Sequence, residues 1–332
     1  MFRTIIALGL ALLLYAAPAL AQNARHFTFD YGFVVRNAVS GQDLRVWVPL
    51  AHNDRFQQVS IISIKGDLAV REQTDPKTGN EMLYGETTHV SKAQYKFTIV
   101  YDVIRRERSA STDAAAIETA PKTAPSEAEL AADLLPNQLV PVSGVPADLA
   151  VKTAAGQVTE MGKARAIYDY VFNNMRYDKT GTGWGRGDTL FACDLKRGNC
   201  TDFHSLFISM VRSQQIPSRF EIGFSLPADS HAGRIEGYHC WADFYVPARG
   251  WMPVDISEAW KHPTKRDYFF GSLDTNRVQF TIGRDLRLTP PQVGPPLNYF
   301  VYPYVEVDRK PYSNVVNNFS FADKDSSSLV SR

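Results

Sequence analysis

Cys200, His239 and Asp255 are the residues of this chain whose types and surroundings suit nucleophilic acyl transfer. The stretch KRGNCTDFHSLFISMVRSQQIPSRF, residues 196–220, sets Cys200 where a Gly-Asn turn gives way to apolar residues at Phe203, Leu206, Phe207, Met210 and Val211. That spacing, i, i+3, i+4, i+7, i+8, is the stripe of a helix packed on a core. Cys200 then falls in or just before the first turn. Unpaired amides and the positive end of the helix dipole favour a thiolate there, while Asp202 opposes it slightly. A plain buried cysteine at a helix start fits this stretch equally well.

The second segment, GYHCWADFYVPARGWMPVDISEAW, contains two alternating runs, Tyr238 to Val246 and Trp251 to Ile256, around the turn PARG. Together they predict an antiparallel hairpin. His239, Trp241, Asp243 and Tyr245 share one face of the first strand, and Trp251, Pro253 and Asp255 one face of the second. His239 and Asp255 are therefore neighbours in one register and separated in another. A histidine oriented by a carboxylate and facing a helix-terminal cysteine is what nucleophilic acyl transfer needs.

These segments resemble the core of the transglutaminase-like superfamily, distant relatives of the papain-type cysteine proteases. The matching pieces are GNCTDFHSLFISMVRSQQIPSRFEIGF, HCWADFY and GWMPVDISEA, within roughly residues 160 to 260. The resemblance implies Cys200 as nucleophile, His239 as general base and acid, and Asp255 as the group that orients the imidazole. Cys240 departs from the pattern, since the family more usually has alanine beside the histidine. The family holds cross-linkers, peptidases, amidases and inactive relatives, so the reaction stays open. An oxyanion hole is also required. The Cys200 amide is one candidate donor, with the Trp184 indole as a second, although an aromatic that simply covers the core is the competing account of Trp184. Trp184 and Trp241 are the candidate substrate-binding residues.

Other elements must position these groups. The chain opens MFRTIIALGLALLLYAAPALAQ, with Arg3 before an apolar run and Ala19-Leu20-Ala21 as a small-x-small site, which reads as a signal peptide over 1–21. The expectation is a periplasmic or secreted protein without membrane insertion. Residues 22–107 alternate with period two (Phe27, Phe29, Tyr31, Phe33; later Tyr95, Phe97, Ile99, Tyr101) and predict an N-terminal antiparallel β domain. An Ala/Ser/Thr/Pro-rich linker over 108–140 follows, with one short helix capped by Ser126 and Glu129. The transglutaminase-like domain spans 141–265, where Ala164, Ile167, Tyr168 and Val171 mark a further helix. A C-terminal β extension covers 266–319 and a disordered tail 320–332. The fold class is α+β.

With 44% hydrophobic and 21% charged residues and a net charge of +1, the chain has no basic block to attract nucleic acid or an anionic surface. The glycines of KTGTGWGRGDTL lack the preceding strand and the Gly-Lys-Ser/Thr of a phosphate loop, which leaves a flexible surface loop carrying Trp184. Cys193, His204 and His239 lack the paired cysteine spacing of structural zinc, and no calcium loop occurs; no metal or cofactor is expected. Arg277 and Arg284 suit surface ion pairs better than substrate contacts. Three cysteines leave at least one thiol without an intramolecular mate; Cys193 and Cys240 are the candidates to pair, with Cys200 free. The expected function is an exported cysteine hydrolase or acyltransferase acting on a peptide or protein substrate of the cell envelope. The alternative is a catalytically idle module that binds an envelope partner.

Overall fold

Alternating aromatic residues build the first part of the fold. In the computed structural model, which describes residues 23–109 and 125–324, the chain begins with β1 (Ala24–Arg36), β2 (Leu44–Pro49), β3 (Gln57–Gly66), β4 (Arg71–Thr74), β5 (Glu81–Thr87) and β6 (Gln94–Arg106). Phe27, Phe29, Tyr31, Phe33 and Val35 of β1 point inward beside Tyr95, Phe97, Ile99, Tyr101 and Val103 of β6, all buried. The expected signal peptide and much of the expected linker lie outside the described residues. The capped helix of that linker is α1 (Glu127–Ala132), with Ser126 and Glu129 forming its capping box.

The middle of the chain is helical. It runs through α2 (Val145–Thr153), α3 (Glu160–Asn174), β7 (Arg176–Tyr177), α4 (Thr189–Leu195), β8 (Arg197–Gly198) and α5 (Cys200–Ser213). The expected face of α3, Ala164, Ile167, Tyr168 and Val171, is the buried one. In α5 the apolar stripe is only part of what is covered, because every residue from Cys200 to Arg212 is buried. Helices pack around it and the sheet lies beneath, so its polar side chains need internal partners. Ser209 donates to the Pro141 carbonyl, and the Arg212 guanidinium donates to the Ser218 carbonyl at 2.8 Å.

The remaining elements are β9 (Ser218–Ser225), β10 (Ala232–Ile235), β11 (His239–Val246), β12 (Gly250–Val254), α6 (Ile256–Lys261), β13 (Arg277–Ile282), β14 (Tyr304–Val307), β15 (Lys310–Pro311) and β16 (Val315–Asp323). The strand order in the sheet under α5 is β12-β11-β9-β13. Two five-stranded sheets flank it, ordered β10-β16-β1-β6-β3 and β15-β14-β2-β5-β4. All pairing in these three sheets is antiparallel; β7 and β8 form a separate parallel pair. The fold is α+β, as expected.

The C-terminal β extension is built into the sheets, and strand structure continues past 320, where a disordered tail was expected. The strands of the extension are shared out: β13 joins the central sheet beside β9, β14 pairs with β2, and β16 lies between β10 and β1. β16 continues to Asp323, because Phe319 and Phe321 alternate into the core and Arg25 binds the Asp323 carboxylate at 2.9 Å. The polar composition after Phe321 hid this final turn of alternation; residues 325–332 lie outside those described. Among the described residues no helix is long and apolar enough to cross a membrane.

Candidate active site

The backbone before Cys200 is built around one carboxylate. Asn199 is the N-cap of α5, its side-chain oxygen accepting the Thr201 N–H at 3.0 Å, and Asp202 in turn accepts the Asn199 N–H at 2.9 Å. Gly198 has φ +151°, and a Cβ there would lie 2.2 Å from the Asp202 carboxylate. Only glycine fits that position. Asp202 also accepts the Gly185 and Gly187 N–H groups, at 2.7 and 3.0 Å. Arg284, buried, donates to the Gly187 carbonyl at 2.9 Å and to Ser205 Oγ at 2.5 Å.

The glycine segment is therefore a tied loop that braces the helix beginning at Cys200, where a flexible surface loop was expected. The Trp184 indole N–H donates to the Gly181 carbonyl at 3.1 Å, so it is already engaged within its own loop. That corrects its assignment as an oxyanion donor. Arg284 is likewise no surface ion pair.

His239 opens β11, and Asp255 lies one residue beyond β12 as the N-cap of α6, accepting the Glu258 N–H at 3.0 Å. The expected strand position of Asp255 is thus replaced by a cap. Asp-x-x-Glu in DISE is the local signal for it. The register Ala242↔Val254 brings the two side chains together, with His239 Nε2 2.7 Å from Asp255 Oδ2. His239 Nδ1 is the nitrogen left to face Cys200, whose sulfur is in polar contact with this ring. Arg277 donates to the same Asp255 oxygen at 2.9 Å and to Asp274 at 3.1 Å, and Ser257 Oγ donates to the other Asp255 oxygen at 3.1 Å.

These contacts set the protonation states. Burial would raise the Asp255 carboxyl, but the His239 charge and hydrogen bond, with Arg277, hold it well below its usual range. Burial lowers the His239 imidazole, and Asp255 and the Cys200 contact reverse this and raise it to about 10. Burial would also raise the Cys200 thiol; contacts with Cys240 and His239 and the His239 charge bring it well below its ordinary value. Both shifts favour a thiolate on Cys200 beside an imidazolium on His239. The pair is closed off, with Cys200 only 1% and His239 only 2% exposed.

His204 lies near the site as a polar helix residue, as expected, while the role of Tyr238 escaped sequence reasoning. His204 is buried in α5, with Nδ1 2.8 Å from the Cys200 carbonyl and Nε2 accepting the Ile256 N–H at 3.0 Å. Both ring nitrogens are used to lock α5 to the start of α6. Among the described residues no group of three or more His, Cys, Asp or Glu side chains is placed to hold a metal ion. The Tyr238 hydroxyl meets Asn199 Nδ2 at 2.9 Å and Thr201 Oγ1 at 2.8 Å, holding the helix start from the strand side.

Trp241 is fully buried, its indole N–H donating to Glu221 at 2.6 Å, so it is a floor beneath His239 and not a substrate contact. All three cysteines are free, and Cys240 faces Cys200 where a Cys193 pairing was expected. A cavity of about 1240 Å³ lies elsewhere, lined by residues that include Arg108, Asp133, Arg219 and Trp251 and none of Cys200, His239 and Asp255.

Residues 147–256 match the model of the Transglutaminase-like superfamily. An uncharacterized protein of Haemophilus influenzae is 28% identical over 324 residues, covering 87% of each chain. The uncharacterized protein YebA of Bacillus subtilis is 26% identical over 141 residues, which are 38% of this chain and 19% of YebA. Among solved structures, a Cytophaga hutchinsonii protein provisionally described as a cysteine protease shares the fold with a TM-score of 0.57 at 16% identity, over 92% of each chain. The matched segment contains Cys200, His239 and Asp255, and it is in this segment that the chain is similar to the transglutaminase-like superfamily.

Proposed function

We propose that the protein is an exported cysteine hydrolase or acyltransferase that acts on peptide or other amide bonds through a thioester on Cys200. One observation carries the reading: His239 Nε2 sits 2.7 Å from an Asp255 carboxylate that Arg277 also holds, leaving Nδ1 toward the Cys200 sulfur. The Cys200 thiolate attacks the carbonyl carbon, and the C–N bond breaks as His239 Nδ1 gives its proton to the leaving amine. His239 then takes a proton from water or from a second amine, whose attack releases the acyl group and restores the thiolate. Asp255 stays ionised throughout and stabilises the imidazolium. Export rests on the apolar opening of the chain, and the cell envelope is where its peptide or protein substrates are sought.

Iodoacetamide alkylation of the purified mature chain, followed against pH, tests the nucleophile. Cys200 is expected to react with an apparent pKa clearly below the roughly 8.5 of a free cysteine, and His239→Ala to abolish the advantage. Incubation with envelope peptides is expected to leave a hydroxylamine-sensitive acyl mass on the peptide containing Cys200. The near-complete burial of Cys200 and His239 favours the second reading, an idle module that binds an envelope partner. Alkylation no faster than that of a model thiol, with no acyl mass, would leave that second reading standing.

A further inference from the structure

Cys240 is the neighbour of Cys200 to which acyl transfer gives no bond-making step. The alternation of β11 turns it away from the Trp241 side and toward α5, where it is fully buried. Its sulfur lies 3.8 Å from His204 Nδ1, the same nitrogen that is 2.8 Å from the Cys200 carbonyl. Both cysteines thus meet the His204 ring, Cys240 through its sulfur and Cys200 through its carbonyl. They are not equivalent: burial and the Cys200 charge hold the Cys240 thiol well above its ordinary value, so it stays protonated beside a thiolate. Burial likewise pushes Cys193, on α4, up to about 11. An oxidant that reaches this cluster therefore meets one reactive sulfur with one protonated thiol beside it.

We propose that Cys240 is the resolving thiol for Cys200, so that oxidation closes the active site reversibly as a Cys200–Cys240 disulfide. The inference rests on the reading of Cys200 as a thiolate nucleophile. A peroxide supplies the oxidising equivalents: the Cys200 thiolate attacks one peroxide oxygen, the O–O bond breaks, and with one proton taken up the products are Cys200 sulfenic acid and water. The Cys240 sulfur then attacks the sulfenic sulfur, the S–O bond breaks, and the Cys240 proton leaves with the hydroxyl as a second water. An external dithiol reverses the bond by two exchanges and becomes the disulfide itself. Without Cys240, Cys200 sulfenic acid has no adjacent thiol and climbs to the sulfinic acid, which a dithiol does not reverse.

Trypsin separates the three cysteines, since cleavage after Arg and Lys leaves Cys193 in 187–196, Cys200 in 198–212 and Cys240 in 235–249. The full chain is treated with hydrogen peroxide, blocked with iodoacetamide and digested without reductant. The expected product is peptide 198–212 joined to 235–249 within one chain, with dithiothreitol restoring the alkylation of Cys200. In Cys240→Ala and Cys240→Ser the dithiothreitol-recoverable Cys200 is expected to fall about tenfold, with a gain of two oxygens on 198–212.

A link to Cys193 or to a second chain, or Cys200 oxidised while Cys240 is still alkylated, overturns the proposal, as does unchanged recovery in both variants. The alkylation rate of untreated protein separates the two readings. Fast Cys200 alkylation without the disulfide defeats only the resolving role, and slow alkylation without it defeats both.

Discussion

The two faces of β11 do opposite work with alternate residues of one strand. Cys240, Ala242 and Phe244 lie under α5, where Phe244 meets Phe207 at 6.1 Å and stacks on Phe270 at 5.6 Å. His239, Trp241 and Asp243 lie on a row of buried charge. Across it, β9 sets Glu221 opposite Trp241 and Arg219 opposite Asp243. Arg219 holds Glu221 at 3.0 Å and Asp243 at 3.2 Å, Arg108 holds Asp243 at 3.0 Å, and the Arg277 guanidinium stands 4.9 Å over the Trp241 ring while binding Asp255. The apolar face contributes burial, which is non-directional. The charged face contributes little net stability but fixes geometry, because a buried charge stripped of its partner is strongly penalised. His239 and Asp255 stand at the end of that charged row, joined to it through Arg277.

The comparison breaks first at Phe244. Phe244→Ala empties space between α5 and Phe270 and is expected to cost about 3–5 kcal/mol in denaturant unfolding. If the faces are separable, the pH midpoint of Cys200 alkylation in the folded fraction stays where it was. A shifted midpoint would mean that helix packing, and not the charged row, sets the state of the thiol.

Glu221 sharpens the other side. Burial, then the Asp243 charge, raises its carboxyl to about 7, well above its value in an unfolded chain. A raised acid binds its proton more tightly when folded, so its stabilising contribution is complete below about pH 4.5 and is lost as pH rises through about 7. Wild-type stability should fall with a slope approaching 1.4 kcal/mol per pH unit inside that window. Glu221→Gln keeps an acceptor for the Trp241 N–H and removes the slope. Thermal unfolding of both proteins from pH 4 to pH 8 checks this, and parallel curves would remove Glu221 from the account.

What was legible in the sequence is what short-range periodicity records. Alternation marked β1, β6 and β11, and the 3.6-residue stripe marked α3 and α5, because side-chain direction repeats within a few residues. Cys200 at a helix start could be read from Gly198-Asn199 ahead of the stripe, and His239 and Asp255 from one hairpin. The tethers could not be read, since they join distant segments. Arg277 meets Asp255 from β13, Arg284 reaches the glycine loop from 97 residues away, and β16 meets β1 across nearly the whole chain. Trp184 and Trp241 misled for a related reason: composition shows an aromatic ring but not where its N–H is spent.

Asp255→Asn tests where the charged row ends in chemistry. Arg277 keeps Asp274, and the asparagine oxygen still accepts from the start of α6, so the folding cost should be modest beside that of Phe244→Ala. The loss falls on His239, because Asp255 provides the attraction that overcomes burial and lifts the imidazole to about 10. Removing that charge lowers the His239 pKa, and the Cys200 thiol then lacks a cationic partner over part of the pH range. The ion pair exists between the thiol's pKa and the imidazolium's, so the alkaline limb of the alkylation profile should move to lower pH and the acid limb to higher pH. At neutral pH the rate constant is expected to drop at least tenfold, about 1.4 kcal/mol in the barrier. Arg277→Met leaves the Asp255 charge and removes a cation beside it, so the alkaline limb should move the other way, to higher pH, and by less. An Asp255→Asn profile that superimposes on the wild type would show that His239 is held by packing on Trp241 alone, and the charged row would then carry no chemical role.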